Sequence, residues 1–330
     1  MRVIPLLFTT MAFLFVPPFL LSSGQAKTRM QGSIRELGRC DFGVAYYVFV
    51  EGRIAYVTGN DGVHIIDLQN PSQPRKISRI KIGDGAFDLS VEQNIAYIAG
   101  QKDGVFIADV SDPSAPEIIG VYSEKKGVHH EDIIIRQNHG FVSLRDGTLI
   151  VLDISDKSEP QRIGELKAGA DGRELDIYHD ILYFASGFSG LEVIDVNDPS
   201  SPRKIGTVPG TLGASSMDIH EQILLLGCQG NGVKILDLSD PRQPKVVGAF
   251  HDGGESNSVF YRDPYLFVAD QNDRLIEILD VSDPARPRKL TESHNSRYIP
   301  HDIFFDGRYI YTADAKNGLV VLEYVPNPKD

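Results

Sequence analysis

Apolar strands that end in an acidic residue recur along the chain at nearly constant spacing. Successive strand ends lie 42 to 44 residues apart, and the segments between them show no helical periodicity. A fixed period of this length is typical of repeat architectures in which each unit is one small supersecondary element. The seven strands are VHIID ending at Asp67, VFIAD at Asp109, LIVLD at Asp153, LEVID at Asp195, VKILD at Asp237, IEILD at Asp280 and LVVLE at Glu323.

A turn rich in Asp and Pro follows six of the seven strand ends, as in SDPSAP (111–116) and SDPRQP (239–244). These residues favour tight reversals, so capping explains the turn carboxylates better than calcium binding does. Each unit continues with an outer strand such as RKIGTV, a variable loop, an inner strand and a short hairpin. Four short strands per unit predict an all-β fold, a seven-bladed β-propeller with four-stranded blades.

The last unit has no outer strand of its own, because only seven residues follow Glu323. Residues 33–39 match the outer-strand pattern and precede the first inner strand at 44–50. We therefore predict that this N-terminal strand completes blade 7, which closes the ring and removes two exposed sheet edges. Residues 27–330 then form a single propeller domain, with the repeats over 44–323.

The first 26 residues are typical of a secretory signal peptide. Arg2 is the only charged residue, the stretch 3–21 is apolar, and a small-x-small cleavage site ends at Ala26. A membrane anchor is the alternative, but Pro17-Pro18 interrupts the apolar stretch and no basic cluster follows it. We predict cleavage after Ala26 and a periplasmic or secreted mature protein without integral membrane association.

Charge and cysteine content narrow the range of partners. The formal net charge is −12, and a surface of that sign repels phosphate backbones and anionic lipid, so nucleic acid is not an expected partner. Cys40 and Cys228 occupy different points of the repeat. An oxidising compartment permits a disulfide between them, but two buried apolar thiols are the favoured interpretation.

The repeat resembles the LVIVD-repeat β-propeller family over nearly all of residues 33–325. The resemblance implies the propeller fold and a cell-surface or secreted setting, but no particular activity, because propellers host enzymes and scaffolds alike. WD-type repeats fit poorly, since the chain contains no tryptophan. The segments that match the family's namesake string are LEVIDVNDP (191–199), VKILDLSDP (233–241) and IEILDVSDP (276–284).

An aspartate recurs near the start of the inner strand, and we take it to occupy one equivalent position in five blades. Tyr47 and Ser258 take this position in the other two blades. Hydrogen bonds to neighbouring backbone are the favoured role, and an acidic lining of the channel is the alternative. The five aspartates are Asp88, Asp132, Asp176, Asp218 and Asp302.

Functional residues are expected where one blade departs from the others. Blade 3 has two histidines and a glutamate before Asp132, blade 7 has a histidine before Asp302, and blade 4 has an Arg-Glu pair. These residues enter the inner strands, so we expect them to gather at one channel mouth, with blades 3 and 7 facing each other. The candidate catalytic residues are His129, His130, Glu131, His301, Arg173 and Glu174.

Imidazole beside carboxylate is also the ligand set of zinc and similar divalent ions. Strand alternation places His130 and Asp132 on one side and Glu131 on the other, so not all of them can reach one ion. Solvated loop residues are an equally good explanation of the cluster. The candidate metal ligands are His130, Asp132, His301 and Asp302, and a divalent metal ion is the only cofactor that the sequence indicates.

Two functions remain open at this point. The first is a protein- or glycan-binding or scaffold module of the cell envelope that uses its loop-rich channel face. The alternative is a metal-assisted lyase or hydrolase that uses the His/acid cluster, with acid–base roles for its members. No HExxH, GxSxG, P-loop or paired-Cys motif occurs. Arg145 and Lys316, in hairpins of the same face, are candidate partners for an anionic group.

Overall fold

The computed structural model describes residues 32–123, 128–293 and 297–326, so the predicted signal peptide lies outside the described residues. Within these ranges the chain forms twenty-eight β-strands in seven four-stranded antiparallel sheets. The seven sheets confirm the predicted all-β, seven-bladed propeller. No helix of the described ranges has the length and apolar character needed to cross a membrane.

Six blades are built from four consecutive strands each, and blade 7 combines the last three strands with the first. Blade 1 consists of β2 Ala45–Glu51, β3 Ile54–Gly59, β4 Gly62–Asp67 and β5 Arg75–Lys81; blade 2 of β6 Asp88–Glu92, β7 Ile95–Gly100, β8 Gly104–Asp109 and β9 Glu117–Tyr122; blade 3 of β10 His130–Arg136, β11 His139–Leu144, β12 Thr148–Asp153 and β13 Gln161–Lys167; blade 4 of β14 Leu175–Tyr178, β15 Ile181–Ala185, β16 Leu191–Asp195 and β17 Arg203–Val208; blade 5 of β18 Ser216–His220, β19 Ile223–Gly227, β20 Val233–Asp237 and β21 Lys245–Phe250; blade 6 of β22 Ser258–Arg262, β23 Tyr265–Asp270, β24 Leu275–Asp280 and β25 Arg288–Glu292; blade 7 of β26 Pro300–Phe305, β27 Tyr309–Asp314, β28 Gly318–Pro326 and β1 Gly32–Cys40.

The N-terminal strand closes the ring as predicted. β1 pairs antiparallel with β28, from Gly32 opposite Pro326 to Cys40 opposite Leu319. Ile34 is buried in the core between blades 6 and 7. The outer edge of blade 7 is therefore occupied by a strand from the other end of the described chain.

The hydrophobic core lies between the blades and not at the ring axis. The described residues contain seven apolar clusters, and each one joins two neighbouring blades. Ile65 of blade 1, for example, packs in one cluster with Ile98 of blade 2. Stacking of the sheet faces in this way leaves the inner strands as edges around a central channel.

The Asp-Pro turns are structural. Asp112 Oδ1 accepts hydrogen bonds from the backbone N–H of Ser114 at 2.9 Å and from its hydroxyl at 2.7 Å. Asp156 and Asp198 repeat both bonds, and Asp240 and Asp283 repeat the backbone bond. Several turns also pack closely on the outer strand of a neighbouring blade: a Cβ at Gly38 would lie 2.6 Å from the Pro71 carbonyl oxygen, and one at Gly164 would lie 2.4 Å from the Pro199 carbonyl oxygen. The turn carboxylates are thus occupied by capping. Both cysteines are free thiols.

Candidate functional site

Every inner strand begins with a β-bulge. In blade 3 the register steps from His130 to Asp132, which leaves Glu131 as the extra residue. Blade 7 has the same step at His301, and in blade 1 Tyr46 and Tyr47 together oppose the single residue Thr58. A bulge turns the side chain of the extra residue away from the regular alternation. Strand alternation alone therefore did not predict where Glu131 and His301 point.

The other four blades carry the same irregularity at the end of the ladder. Phe87 N donates to Ala99 O at 2.9 Å although Asp88 is the register partner of Ala99. Arg173 and Glu174 likewise share one partner residue on β15. We call the seven bulged residues the mouth ring. In blade order they are Tyr46, Phe87, Glu131, Arg173, Ser215, Asn257 and His301.

Four rings form a continuous row along one side of this mouth. His301 packs edge-on against Tyr46 with 5.6 Å between ring centroids, and Tyr46 packs edge-on against Phe87 at 5.0 Å. The ring of His129 follows Phe87 at 6.4 Å. These separations are those of favourable ring contacts. We call the four residues the aromatic row; two aromatic rings separate its terminal histidines, so the structure does not bring His129 and His301 together.

Arg145 connects the aromatic row to the carboxylate of Glu131. The guanidinium lies 5.1 Å from the Phe87 centroid, and its Nε donates to Glu131 Oε1 at 2.5 Å. The Glu131 side chain is 11% exposed and that of Arg145 is 52% exposed. Burial raises the pKa of Glu131, and the Arg145 charge opposes that shift. A donor and an acceptor thus lie side by side next to apolar rings.

The three candidate histidines have different environments. His130 is 1% exposed, and its Nδ1 lies 2.9 Å from the Gln101 carbonyl oxygen, so it anchors the hairpin of blade 2. The imidazole rings of His129 and His301 form no hydrogen bond with the described residues. Burial lowers the pKa of both, and the Arg145 charge lowers that of His129 further. The two terminal rings of the row are therefore neutral imidazoles at pH 7.

Arg173 and Glu174 are neighbours in sequence, but their side chains lie in different parts of the structure. Arg173 Nε donates to Asp171 Oδ2 at 3.0 Å in the loop that precedes blade 4. Glu174 lines the channel below the mouth. Burial, together with the charges of Asp132 and Asp302, raises the pKa of Glu174 well above its usual value.

The predicted equivalence of the inner-strand aspartates is wrong for blades 4 and 5. Asp176 and Asp218 lie two residues further along their strands than the other three aspartates, and Glu174 and Ser216 take the first position. Side chains two residues apart share a face, so both levels line the channel. The first level contains Tyr47, Asp88, Asp132, Glu174, Ser216, Ser258 and Asp302.

Most channel carboxylates bind the backbone of the next blade. Asp132 Oδ2 accepts from Leu175 N at 2.5 Å, and Asp302 Oδ2 accepts from Val48 N at 2.9 Å. The inner strands are sheet edges, so these N–H groups would otherwise lack a partner. The predicted hydrogen-bonding role is confirmed. The pairs on the second level are Asp176 with Ile219 N (3.2 Å) and Asp218 with Tyr261 N (2.6 Å).

Asp88 is the exception in this set. No backbone N–H of the described residues donates to the Asp88 carboxyl, which lies beside the Asp132 carboxyl instead. Burial and the charges of Asp132 and Glu174 raise the pKa of Asp88 well above its usual value. Burial also raises the pKa of Asp132 to about 7. Burial and the neighbouring carboxyl therefore favour the protonated form of Asp88.

Two cavities of about 210 Å³ each lie in the channel below the mouth. Both are lined by Tyr47, Phe49 and Glu174. On one side Phe304 packs against Phe49 at 6.0 Å and against Phe260 at 4.9 Å between centroids. These three phenylalanines form an aromatic wall of the channel in blades 6, 7 and 1. The opposite wall carries the carboxyls of Asp88, Asp132 and Glu174 in blades 2 to 4.

The four candidate metal ligands have other partners or lie apart. His130 and Asp132 are engaged by backbone of blades 2 and 4, and Asp302 also accepts from the Ser258 hydroxyl at 2.6 Å. His301 packs on Tyr46. In the described ranges no group of three or more His, Cys, Asp or Glu has the arrangement needed to hold a metal ion. The metal hypothesis stays a prediction, and no chemical step is derived from it.

The repeat and the fold both occur in known proteins. The family model described as LVIVD repeat matches seven times, over residues 42–81, 83–124, 129–167, 169–209, 214–252, 253–293 and 300–323. The chain belongs to the LVIVD-repeat family. No curated protein matches its sequence. The crystal structure of the computationally designed Ika8 protein matches this LVIVD-repeat chain with a TM-score of 0.65 and 11% identity, covering 88% of this chain and 100% of that one. An identity this low shows a shared fold alone.

Sequence reasoning about this LVIVD-repeat protein missed Tyr46 and Phe87. Both directly precede the first-level channel residue of their blades, as Glu131 and His301 do in blades 3 and 7. A comparison of that single position across the seven repeats would have found them. Tyr46 and Phe87 lie between His301 and His129 in the aromatic row, but neither is a histidine or a carboxylate, so neither was a candidate.

Proposed function

We propose that this LVIVD-repeat protein is a glycan-binding module of the cell envelope and that its ligand lies on the aromatic row. The observation that carries the proposal is the contact of Arg145 with both Phe87 and Glu131. A sugar ring offers apolar C–H faces that pack on aromatic rings, and hydroxyls that need a donor and an acceptor together. Binding sites typically combine such apolar lining with a few placed polar groups.

The charges around the mouth favour a ligand without net charge. Arg145 pairs with Glu131, and Arg173 pairs with Asp171. The imidazoles of His129 and His301 are neutral at pH 7, as described above. Paired charges still donate and accept hydrogen bonds to hydroxyls, but they offer no excess charge to an anionic group. This supports a neutral glycan over the anionic ligand that Arg145 and Lys316 indicated in the sequence.

The setting outside the cytoplasm rests on the sequence. We propose that residues 1–26 direct export and are removed after Ala26, because their charge and apolar pattern is that of a signal peptide. Mass measurement of the mature protein from its source would show a chain that begins at residue 27. A chain that retains residue 1 would contradict export with cleavage.

An array of neutral oligosaccharides, followed by calorimetry on its hits, tests the binding function. We expect Tyr46→Ala and Arg145→Met each to weaken binding at least about tenfold, since each removes a ring contact or a charge-assisted hydrogen bond. Arg308→Met is the matched control, because Arg308 lies over Tyr309 at 4.9 Å on the hairpin at the opposite end of blade 7. Absence of glycan binding, or equal loss in the control, would contradict the proposal.

A further inference from the structure

A second surface on the mouth face is apolar and lies on blades 4 and 5. Phe188 and Leu212, at 85% and 58%, are the most exposed large apolar side chains of the described residues. Phe188 lies at the tip of the hairpin between β15 and β16, and Leu212 lies in the loop from β17 to β18. Neither belongs to the aromatic row. Exposed apolar side chains that cluster on a surface mark sites of protein contact.

The backbone segments that carry these two side chains are joined to each other. Gly187 N donates to Ala214 O at 2.9 Å, and Gly213 N donates to Gly187 O at 2.8 Å. Gly213 has φ of +85°, and a Cβ there would lie 2.6 Å from the Cys228 carbonyl oxygen, so the turn requires glycine. A surface held in this way loses little conformational entropy when a partner binds.

A cation without a carboxylate partner borders the apolar pair. Asn231 Nδ2 donates to Leu212 O at 3.0 Å, and Lys234 Nζ donates to Asn231 O at 2.9 Å. Lys234 forms no ion pair with any carboxylate of the described residues. By contrast, Lys204 of blade 4 pairs with the buried Glu192 at 2.7 Å. The charge of Lys234 is thus available to an incoming carboxylate.

We propose that Phe188, Leu212 and Lys234 form a docking patch for a short polypeptide segment that carries an apolar side chain next to a carboxylate. The apolar pair anchors the segment, and Lys234 selects its charge. A stable dimer of two copies buries about 800 Å² per partner, which is more than two large apolar side chains supply. An anionic lipid surface presents many charges, and the net charge of −12 repels it more strongly than it repels a short segment with a single carboxylate. This patch is independent of the proposed glycan site.

Selection of a phage-displayed random dodecapeptide library on the immobilised mature protein tests the patch. We expect enriched peptides that combine Phe, Leu or Trp with Asp or Glu. Synthetic forms of these peptides should bind the Phe188→Ser and Leu212→Ser variants at least tenfold more weakly than they bind the unmutated protein. Lys234→Glu should abolish binding of the acidic peptides and allow binding of the same peptides with Lys in place of Asp and Glu.

Three control variants make each outcome decisive. Ile118→Ser removes a 44% exposed apolar side chain from the outer strand of blade 2, and Lys245→Glu reverses an exposed charge of blade 5 at the opposite face; both should leave peptide binding unchanged. Tyr46→Ala should also leave it unchanged, which separates this patch from the glycan site. No enriched peptide, peptides that ignore Phe188→Ser, or self-association that Phe188→Ser abolishes would overturn the proposal.

Discussion

The two sides of the mouth ring are built by the same bulge but carry different chemistry. Blades 7, 1 and 2 place His301, Tyr46 and Phe87 at the bulged position, and their rings touch in sequence. Blades 5 and 6 place Ser215 and Asn257 there, and these side chains hydrogen-bond the local backbone. The bulge is therefore a property of the repeat, whereas the residue in it is a property of the single blade.

The residues that stabilise the ring are therefore different from the residues that could bind a ligand. The repeated positions fill the seven cores between blades and cap the edges of the inner strands. A bulged side chain points away from that regular pattern, so it is free to vary without loss of packing. One side of the mouth therefore carries aromatic side chains, whereas the opposite side carries small polar ones.

Removal of β1 should have the largest effect on the ring, because it opens blade 7 and exposes both the edge of β28 and the apolar partners of Ile34. Deletion of residues 27–41 should lower the melting temperature by about 10 °C or more, or cause aggregation. Differential scanning calorimetry with light scattering measures both effects.

Arg35→Ala is the control for this deletion. The Arg35–Glu323 ion pair, at 2.7 Å, joins an exposed guanidinium to a partly exposed carboxylate and should contribute about 1 kcal/mol or less. An unchanged melting curve with a monomeric deletion product would contradict the closing role of β1.

Protonation of the buried Asp88 carboxyl makes the interface of blades 2 and 3 sensitive to pH. The pKa of Asp88 is raised in the folded state, so the folded chain holds this proton more tightly than the unfolded chain does. Stability from this group is present below an unfolded pKa of about 4 and falls as pH rises towards the folded pKa. Asp88→Asn should therefore raise the free energy of unfolding by roughly 1–2 kcal/mol at pH 8 and give no gain at pH 4.

Asp218→Asn at the interface of blades 5 and 6 is the matched comparison in urea unfolding. Burial raises the pKa of Asp218 only to about 6, and its carboxylate accepts from Tyr261 N. We expect a smaller gain at pH 8 for this variant, since it also loses a charge-assisted hydrogen bond. Equal gains in both variants at every pH would argue against the strongly raised pKa of Asp88.

The architecture could be predicted from the sequence because it depends on repeated features, such as the seven acidic strand ends and the six turns that follow them. The closing strand could be predicted because the last repeat has no outer strand of its own.

The candidate site could be predicted only in part. The sequence comparison aligned Asp176 with Asp132 because both are aspartates, but Glu174 takes the position of Asp132 in blade 4. The two positions were confused because side chains two residues apart share a face, and both Asp132 and Asp176 accept a backbone hydrogen bond from the next blade. The ring contacts of Tyr46 arise between blades and leave no local pattern.

Metal ions should have the smallest effect of all, and their addition tests the role of the histidines at the two ends of the aromatic row. Since His130 and Asp132 bond backbone groups and His301 packs on Tyr46, we expect zinc, manganese or calcium to shift the melting temperature of chelated protein by less than about 1 °C. A larger rise that chelation reverses, and that His130→Ala or His301→Ala abolishes, would instead support a metal site and the enzymatic alternative.

An alanine scan of the mouth ring, read by calorimetry with the best glycan from the array, tests the account most directly. The seven variants share one bulged position, so they differ in the side chain removed and not in its place in the repeat. The account predicts at least about tenfold weaker binding for Tyr46→Ala, Phe87→Ala and Glu131→Ala, a smaller loss for His301→Ala, and unchanged affinity for Ser215→Ala and Asn257→Ala. Losses spread evenly around the ring, or confined to blades 5 and 6, would contradict it.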